Sequence, residues 1–396
     1  MKTCVICSSN VSTILDLREQ PLANNLLEKA DAPYDKYPLG LDVCETCGHA
    51  QLSHFVNPEL LFKDYLYASG TSQTLGAYFE WFADGLATVI PAGGRVLEIA
   101  SNDGSLLQRL AKRGLETVGV DPAANLNAIA QSTGLNVLTG FFPEVRPDGK
   151  FDAIVAMNVA AHTPTPLQFM RGVAESLADD GVAIIQTSQA MMIRNGEFDT
   201  IYHEHYSFYS VSSMERLAAE CGLALVQTQL VSVHGTSFLF FLRHLGKGPV
   251  QFPQTAPFAV EWRDTQGNFQ SFAVKANDLM NDVARRVRAY REQGFDLALV
   301  GVAAKALTFV HAANLSPDWY FDEAPLKVNR FVPGSSTPIR PFADLVLLPK
   351  PTVLLLGAWN FADELRRKIN SLGLSGEHVY LVHLPTVQEF KVNDPR

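Results

Sequence analysis

The 396-residue chain is short of several things. It has no run of about 18 apolar residues, which excludes a helical membrane span, and its first residues, Met1-Lys2-Thr3-Cys4, lead into cysteines without the apolar core of a secretory signal. Basic residues are in deficit, 32 Lys and Arg against 41 Asp and Glu, and the net charge of -9 argues against broad nucleic-acid or anionic-membrane binding. Only 18% of residues are charged while 47% are hydrophobic, so large cores are expected and general disorder is not. The 22 prolines are scattered, leaving no long linker, and there is no internal repeat. A soluble cytoplasmic protein is expected.

Cysteine is scarce as well, yet four of the five form two pairs, Cys4-Val-Ile-Cys7 and Cys44-Glu-Thr-Cys47. Two Cys-x-x-Cys pairs let four thiolates converge in the tetrahedron that structural zinc prefers. The 36 residues between Cys7 and Cys44 exceed a common zinc-ribbon insert. A metal-free turn or two disulfides are the alternatives. His49 and His54 are further ligand candidates or exposed loop residues, and Cys221 reads as a buried core thiol.

Glycine is sparse where a dinucleotide site would need it. The stretch Arg95 to Gln108, RVLEIASNDGSLLQ, reads as a buried strand, a polar turn and a helix with Leu106, Leu107, Leu110 and Ala111 at helical spacing. A second strand follows and ends on Asp121-Pro122. Backbone N–H groups at a helix start and an acid at the next strand end suit an adenosine ligand. A pyrophosphate fingerprint needs three glycines, and this turn has Gly104 alone, with Glu98 before it. A carboxylate there repels phosphate and suits a cation, so S-adenosylmethionine fits better than NAD. Ser101, Asn102, Asp103 and Gly104 are the turn residues. An α/β protein whose first crossover merely ends on Asp is the plainer alternative.

The strand Phe151 to Ala156 leads to Met157-Asn158 and then His162. In an open α/β sheet these face the same crevice as Glu98 and Asp121, although a lone histidine after a strand is as often a satisfied loop residue. Further on, Asp199-Thr-Ile-Tyr202-His203-Glu204-His205-Tyr206-Ser-Phe-Tyr209 crowds histidine, carboxylate and phenol together. Its histidines stand at i and i+2, so it is not the His-Glu-x-x-His of a zinc protease. Imidazole beside a carboxylate makes a tunable general base, and phenols can donate to a developing oxyanion. A purely structural aromatic cluster is the alternative. After a proline-bearing boundary at Gly246 to Phe258, a strand Asp296 to Val300, a turn Gly301 to Lys305, a helix Ala306 to Leu315 and a strand end at Asp322 repeat the opening logic without an acid-rich loop.

Taken with LEIASNDGSLL, NVAAH, TIYHEHYSFYS, SVHGTS, GVAAK and AWNFADEL, the chain resembles the sugar C-methyltransferases that act on nucleotide-linked 4-keto-deoxyhexoses in natural-product deoxysugar biosynthesis. The resemblance covers nearly the whole length. It implies an α/β protein in three parts: a zinc-binding domain over residues 1–70, a Rossmann-like class I methyltransferase sheet over 71–245, and a C-terminal Rossmann-like, substrate-binding domain over 246–396. By motif, Tyr67, His162, Tyr202, Glu204 and His205 would line the active site with His205, tuned by Glu204, as base. Glu98, Asp121 and Asn158 would hold S-adenosylmethionine. The partner would be a small-molecule substrate, a nucleotide-linked keto-sugar, and the protein a monomer or weak homo-oligomer. An O- or N-methyltransferase, or a catalytically inactive cofactor-binding partner subunit, are the rival readings.

The chain departs from that family at four places. Thr236 and Ala306 replace glycines of His-Gly-Gly-Ser and Ala-Lys-Gly, Gln186 stands where Glu-x-Pro begins, and Asn329 stands near another glycine. Each lost glycine adds a Cβ and restricts φ, which predicts an altered substrate.

Overall fold

The computed structural model describes residues 2–62, 73–233, 236–253 and 269–392. Tyr67, which the resemblance places in the active site, lies outside the described residues, as do His234 and Gly235.

The N-terminal part is an antiparallel meander of β1 (Val11–Pro21), β2 (Lys36–Cys44) and β3 (Ala50–Leu52), followed by a short helix α1 (Pro58–Phe62). The long insert between the cysteine pairs is the β1–β2 hairpin, whose register sets Val11 opposite Cys44 and so returns the second pair beside the first. Register shifts follow Thr13 and Asp16, with Arg18 at φ 64°, and they break the alternation that would betray β1 in the sequence.

Next come α2 (Gln73–Val89), β4 (Arg95–Ile99), α3 (Ser105–Lys112), β5 (Glu116–Asp121), α4 (Ala124–Ser132), β6 (Val137–Thr139), β7 (Phe151–Met157), α5 (Pro166–Ser176), β8 (Leu177–Thr187), α6 (Met192–Asn195), β9 (Ser207–Phe208), α7 (Val211–Glu220), β10 (Leu223–Val231) and β11 (Ser237–His244). All but β9 form one sheet in the order β10-β11-β8-β7-β4-β5-β6, in which β11 runs against both its neighbours. Strand order reverses at β4, which pairs in parallel with β5 on one side and β7 on the other. That switch point opens a crevice at the carboxyl ends of β4 and β7. The strands there are buried on both faces, which is why they read as mostly apolar runs, interrupted by Glu98 in β4 and Asp152 in β7.

The last part holds α8 (Phe269–Glu292), β12 (Asp296–Val300), α9 (Ala304–Ala312), β13 (Trp319–Phe321), β14 (Ile339–Arg340), β15 (Thr352–Leu356), α10 (Ala362–Ser371), β16 (His378–Val382) and β17 (Gln388–Lys391). Its sheet, β14-β13-β12-β15-β16-β17, is parallel except at β17. Helix α9 begins two residues before the expected start, so Lys305 belongs to its first turn and not to the loop.

The three parts share a core in addition to those of their own. One buried cluster runs from Leu15, Leu41 and Leu52 of the meander through Phe198, Ile201, Tyr206 and Phe208 to Phe272, Leu299, Phe309 and Leu381. The two-residue strand β9 leaves the central sheet and pairs with β3, adding a fourth strand to the meander. Among the described residues no helix is long and apolar enough to cross a membrane.

Candidate active site

At the carboxyl end of β4 the chain takes three left-handed turns at alternate residues, Ala100 (φ 59°), Asn102 (φ 53°) and Gly104 (φ 77°). Asn tolerates this region through local hydrogen bonds, but Ala in it is uncommon. The glycine count therefore understates the loop, which has glycine-like geometry at three positions and a glycine at one. Asp121, at the end of β5, closes it: its Oδ2 accepts the Asn102 N–H at 2.9 Å and its Oδ1 the Ala123 N–H at 2.7 Å, over Pro122. Asp103 accepts from the Ser105 N–H at 3.1 Å and starts α3.

Glu98 is 4% exposed and its Oε2 has no partner. Burial, followed by the charges of Asp121 and Asp103, raises its pKa well above the ordinary carboxylate value. Ser101 Oγ and Asn158 Oδ1 are likewise buried without partners, and Asn158, after β7, is left-handed at φ 56°. Buried acceptors left unmatched are costly unless a ligand meets them. A crevice with three acids and unpaired oxygens fits the sulfonium, amino and ribose hydroxyl groups of S-adenosylmethionine. The C-terminal sheet offers no such place at its equivalent acid: Asp322 accepts from the Val302 and Ala324 N–H groups and is paired with Lys327 at 3.1 Å.

Four residues beyond Asn158, the 3-10 turn Ala160–His162 carries His162 towards the tyrosine–histidine segment. Its Nδ1 lies 2.8 Å from the Glu204 carbonyl and so donates to it, and burial lowers its pKa to about 4. The His162 and His205 rings are 4.9 Å apart between centroids. His205 Nδ1 is 2.7 Å from the Thr200 carbonyl, which can only accept, so Nδ1 carries the proton and Nε2 is left with its lone pair. The Tyr202 hydroxyl donates to that Nε2 at 2.9 Å. His162, Tyr202 and His205 are thus brought together.

Glu204 is not part of that contact. Its side chain turns away and its Oε1 accepts from the Asn24 amide of the N-terminal part at 2.5 Å, so it does not tune His205 as expected. Burial raises its pKa to about 7. The backbone cause is the i, i+1 relation: in an irregular segment neighbours point to different sides, and the tight turn closed by the His205 N–H to the Tyr202 carbonyl (2.8 Å) leaves only Tyr202 and His205 facing one another. His203 also points elsewhere, 3.2 Å from the Tyr37 carbonyl. Tyr206 and Tyr209 donate to the carbonyls of Val56 and Ala160 and pack the cores.

The cysteine sulfurs converge. Cys4–Cys47 is 3.6 Å, Cys7–Cys44 and Cys7–Cys47 are both 3.5 Å, and all four lie within 4.8 Å of one another. Zinc bound to four thiolates separates them by about 3.8 Å, from Zn–S bonds of about 2.3 Å. The donor set fits zinc, and each pair ends in a left-handed residue, Ser8 (φ 59°) or Gly48 (φ 69°). The Cys47 thiol donating to it pulls Cys4 down to about 5 against the opposing effect of burial. His49 lies in the loop before β3 but is fully buried, not exposed: its Nε2 meets Ser207 Oγ at 3.2 Å, beside the β3–β9 pair, and His54 remains exposed. Cys221 is half-buried, not a core thiol.

Of the four departures from the resembled family, two are absorbed inside the fold. Asn329 is left-handed at φ 68° and keeps a glycine-like backbone, and the Ala306 methyl packs on Gly357, where it would lie 2.6 Å from an added Cβ. Gln186 is buried, accepting from the Tyr78 hydroxyl at 2.5 Å. Asn24 and Gly357 are not evident in the sequence because each acts across a long separation, and Thr200, only five residues from His205, acts through a backbone carbonyl that its residue type does not announce.

A family model described as a zinc binding domain matches residues 4–62, one described as a methyltransferase domain matches 73–228, and one described as a C-methyltransferase C-terminal domain matches 233–385. C-methyltransferase NovU of Streptomyces niveus is 28% identical over 382 residues, 91% of this chain and 90% of that protein. An uncharacterized methyltransferase of Staphylococcus carnosus is 31% identical over 125 residues, 31% of this chain and 60% of that protein. Among solved structures, an S-adenosylmethionine-dependent methyltransferase from Clostridium acetobutylicum is 12% identical, covering 43% of this chain and 92% of that one with a TM-score of 0.35.

Proposed function

We propose, on the premise that this chain belongs to the S-adenosylmethionine-dependent C-methyltransferases built from these three matched parts, that it deprotonates a carbon next to a ketone and methylates the resulting enolate. The substrate we propose is a nucleotide-linked 4-keto-deoxysugar, methylated at C-3, held between the crevice and a C-terminal substrate-binding domain over residues 246–396.

One observation supports the reading above the others. His205 donates through Nδ1 to Thr200, which leaves the lone pair on Nε2 as a proton acceptor beside the crevice that Asn158 ends. A neutral imidazole with an oriented lone pair is the form a general base needs. Tyr202 donates to that nitrogen in the resting arrangement and must yield to the substrate C–H; its hydroxyl then donates to the enolate oxygen. The sulfonium cofactor supplies an electrophilic methyl group, and Glu98, Asp121 and Asn158 are the residues that would hold it. Glu204 contributes by fixing the segment to Asn24, not by touching the base.

The test is solvent-deuterium exchange into a panel of 4-keto-deoxysugar nucleotides, read by mass spectrometry in cofactor-free enzyme, followed by product analysis with S-adenosylmethionine. Deuterium gain at one position and a mass increase of one methyl group are expected. His205→Asn abolishes both while keeping cofactor affinity, by calorimetry, within about threefold, since removal of a general base costs roughly a hundredfold or more in rate. Full activity in that variant eliminates His205 as base.

A further inference from the structure

Behind His205 lies a polar node that the proposed chemistry does not use. Asp199 and His383 are both fully buried, with Asp199 Oδ2 3.6 Å from His383 Nε2. The same oxygen accepts the Trp359 indole N–H at 2.7 Å. His383 follows β16 and lies on Phe309 of α9, 4.1 Å between ring centroids, and Phe309 meets Phe198 at 5.7 Å. Burial pushes the Asp199 carboxyl up, but His383, the nearby Lys305 ammonium and Trp359 outweigh it and hold it below its ordinary value. Burial raises the pKa of the neighbouring Glu197 against the opposing charge of the same ammonium, which stands 5.6 Å over the Trp359 ring.

Phe198, Asp199 and Thr200 are consecutive residues of one 3-10 turn. The C-terminal part grips the first two, and the third presents its carbonyl to His205 Nδ1. Apolar residues would satisfy the packing alone, whereas an ionised acid fixed by an indole N–H fixes direction too.

We infer that Asp199, Trp359 and His383 are positioning residues for His205: they fix the Thr200 carbonyl and with it the tautomer that leaves Nε2 able to take a proton. The catalytic consequence rests on the base reading given above, but the geometry does not. The C-terminal part therefore completes the base as well as flanking the site.

The experiment is two-bond proton–nitrogen NMR of zinc-loaded full-length protein labelled with nitrogen-15 histidine, the His205 signals being those lost in His205→Asn. Wild type is expected to show a single tautomer, protonated at Nδ1. Trp359→Phe, which keeps a ring and removes one N–H, and the isosteric Asp199→Asn are each expected to give a mixture of tautomers. S-adenosylmethionine affinity stays within about twofold, and deuterium exchange into a keto-sugar nucleotide falls about tenfold or more, the scale of a misplaced catalytic group. An unchanged His205 tautomer in both variants overturns the inference, including when their melting temperatures drop. Deuterium exchange that survives His205→Asn would sink the base reading and leave the tautomer result standing.

Discussion

Glu204 turns a buried contact into a pH dependence. It is 4% exposed, and burial raises its pKa to about 7 from an ordinary 4.5. The folded state therefore binds the proton more tightly than the unfolded chain does. The stability of the neutral acid is fully present below about pH 4.5 and is lost as pH rises through about 7, a change of about 3 kcal/mol. Glu204→Gln keeps an acceptor for Asn24 and cannot ionise. Its melting temperature relative to wild type should climb between pH 5 and pH 7.5, and a difference independent of pH would show that the acid is not buried neutral. Gly104 poses a steric question. It is left-handed, and an added Cβ would come within 2.6 Å of Leu135 Cδ1 and 3.0 Å of Ala130 Cβ. Gly104→Ala should cost about 2 kcal/mol from strain and overpacking and weaken S-adenosylmethionine binding, whereas Ala100→Gly should not destabilise, since φ there already suits glycine. Melting curves and calorimetry of the two variants decide this.

At the scale of elements, the unit β4–α3–β5 was legible because its evidence is local. Val96 to Ile99 is apolar but for Glu98, Leu106, Leu107 and Leu110 share a helix face, and Asp121 ends the next strand. The β1–β2 hairpin was not legible, since its bulges spoil the period on which a strand is recognised. Nor was β9, whose two residues are a strand only because β3 lies beside them. That pairing links metal and site. Cys44 and Cys47 close the turn that leads into β3, His49 bridges to Ser207, and Ser207 follows His205 by two residues. Zinc removal by a chelator should therefore raise amide exchange at residues 50–52 and 207–208 by about tenfold or more, because a structural zinc site contributes folding energy directly. Exchange at α3 and β5 should stay as it was. Protection unchanged at 207–208 would mean that β9 is held without the metal.

For the whole molecule, three family models in succession suggest three bodies, but the buried residues are shared differently. The core that joins Leu15, Leu41 and Leu52 to Phe272 and Phe309 passes through Phe198, Ile201, Tyr206 and Phe208, the residues flanking His205. Backbone bonds in both directions between Leu27 and Phe331 (2.8 Å each) and from the Arg18 guanidinium to the Ala312 carbonyl (2.6 Å) fasten the outer parts to each other. No local pattern announces this, since each apolar residue would read the same facing a core of its own part. The central sheet keeps a further core of its own, from Phe82 and Leu86 to Val96, Val155 and Phe241. The first and last parts and the tyrosine–histidine segment should then lose protection together. Phe272, fully buried on α8, tests this. Phe272→Ala should cost about 3–5 kcal/mol and raise amide exchange in β1, β2 and residues 198–208 as much as in α8 and β12, with β4 and β5 unaffected. Loss of protection confined to residues 269–392 would show that the shared core can be divided, and that the segment bearing His205 is held by the central sheet alone.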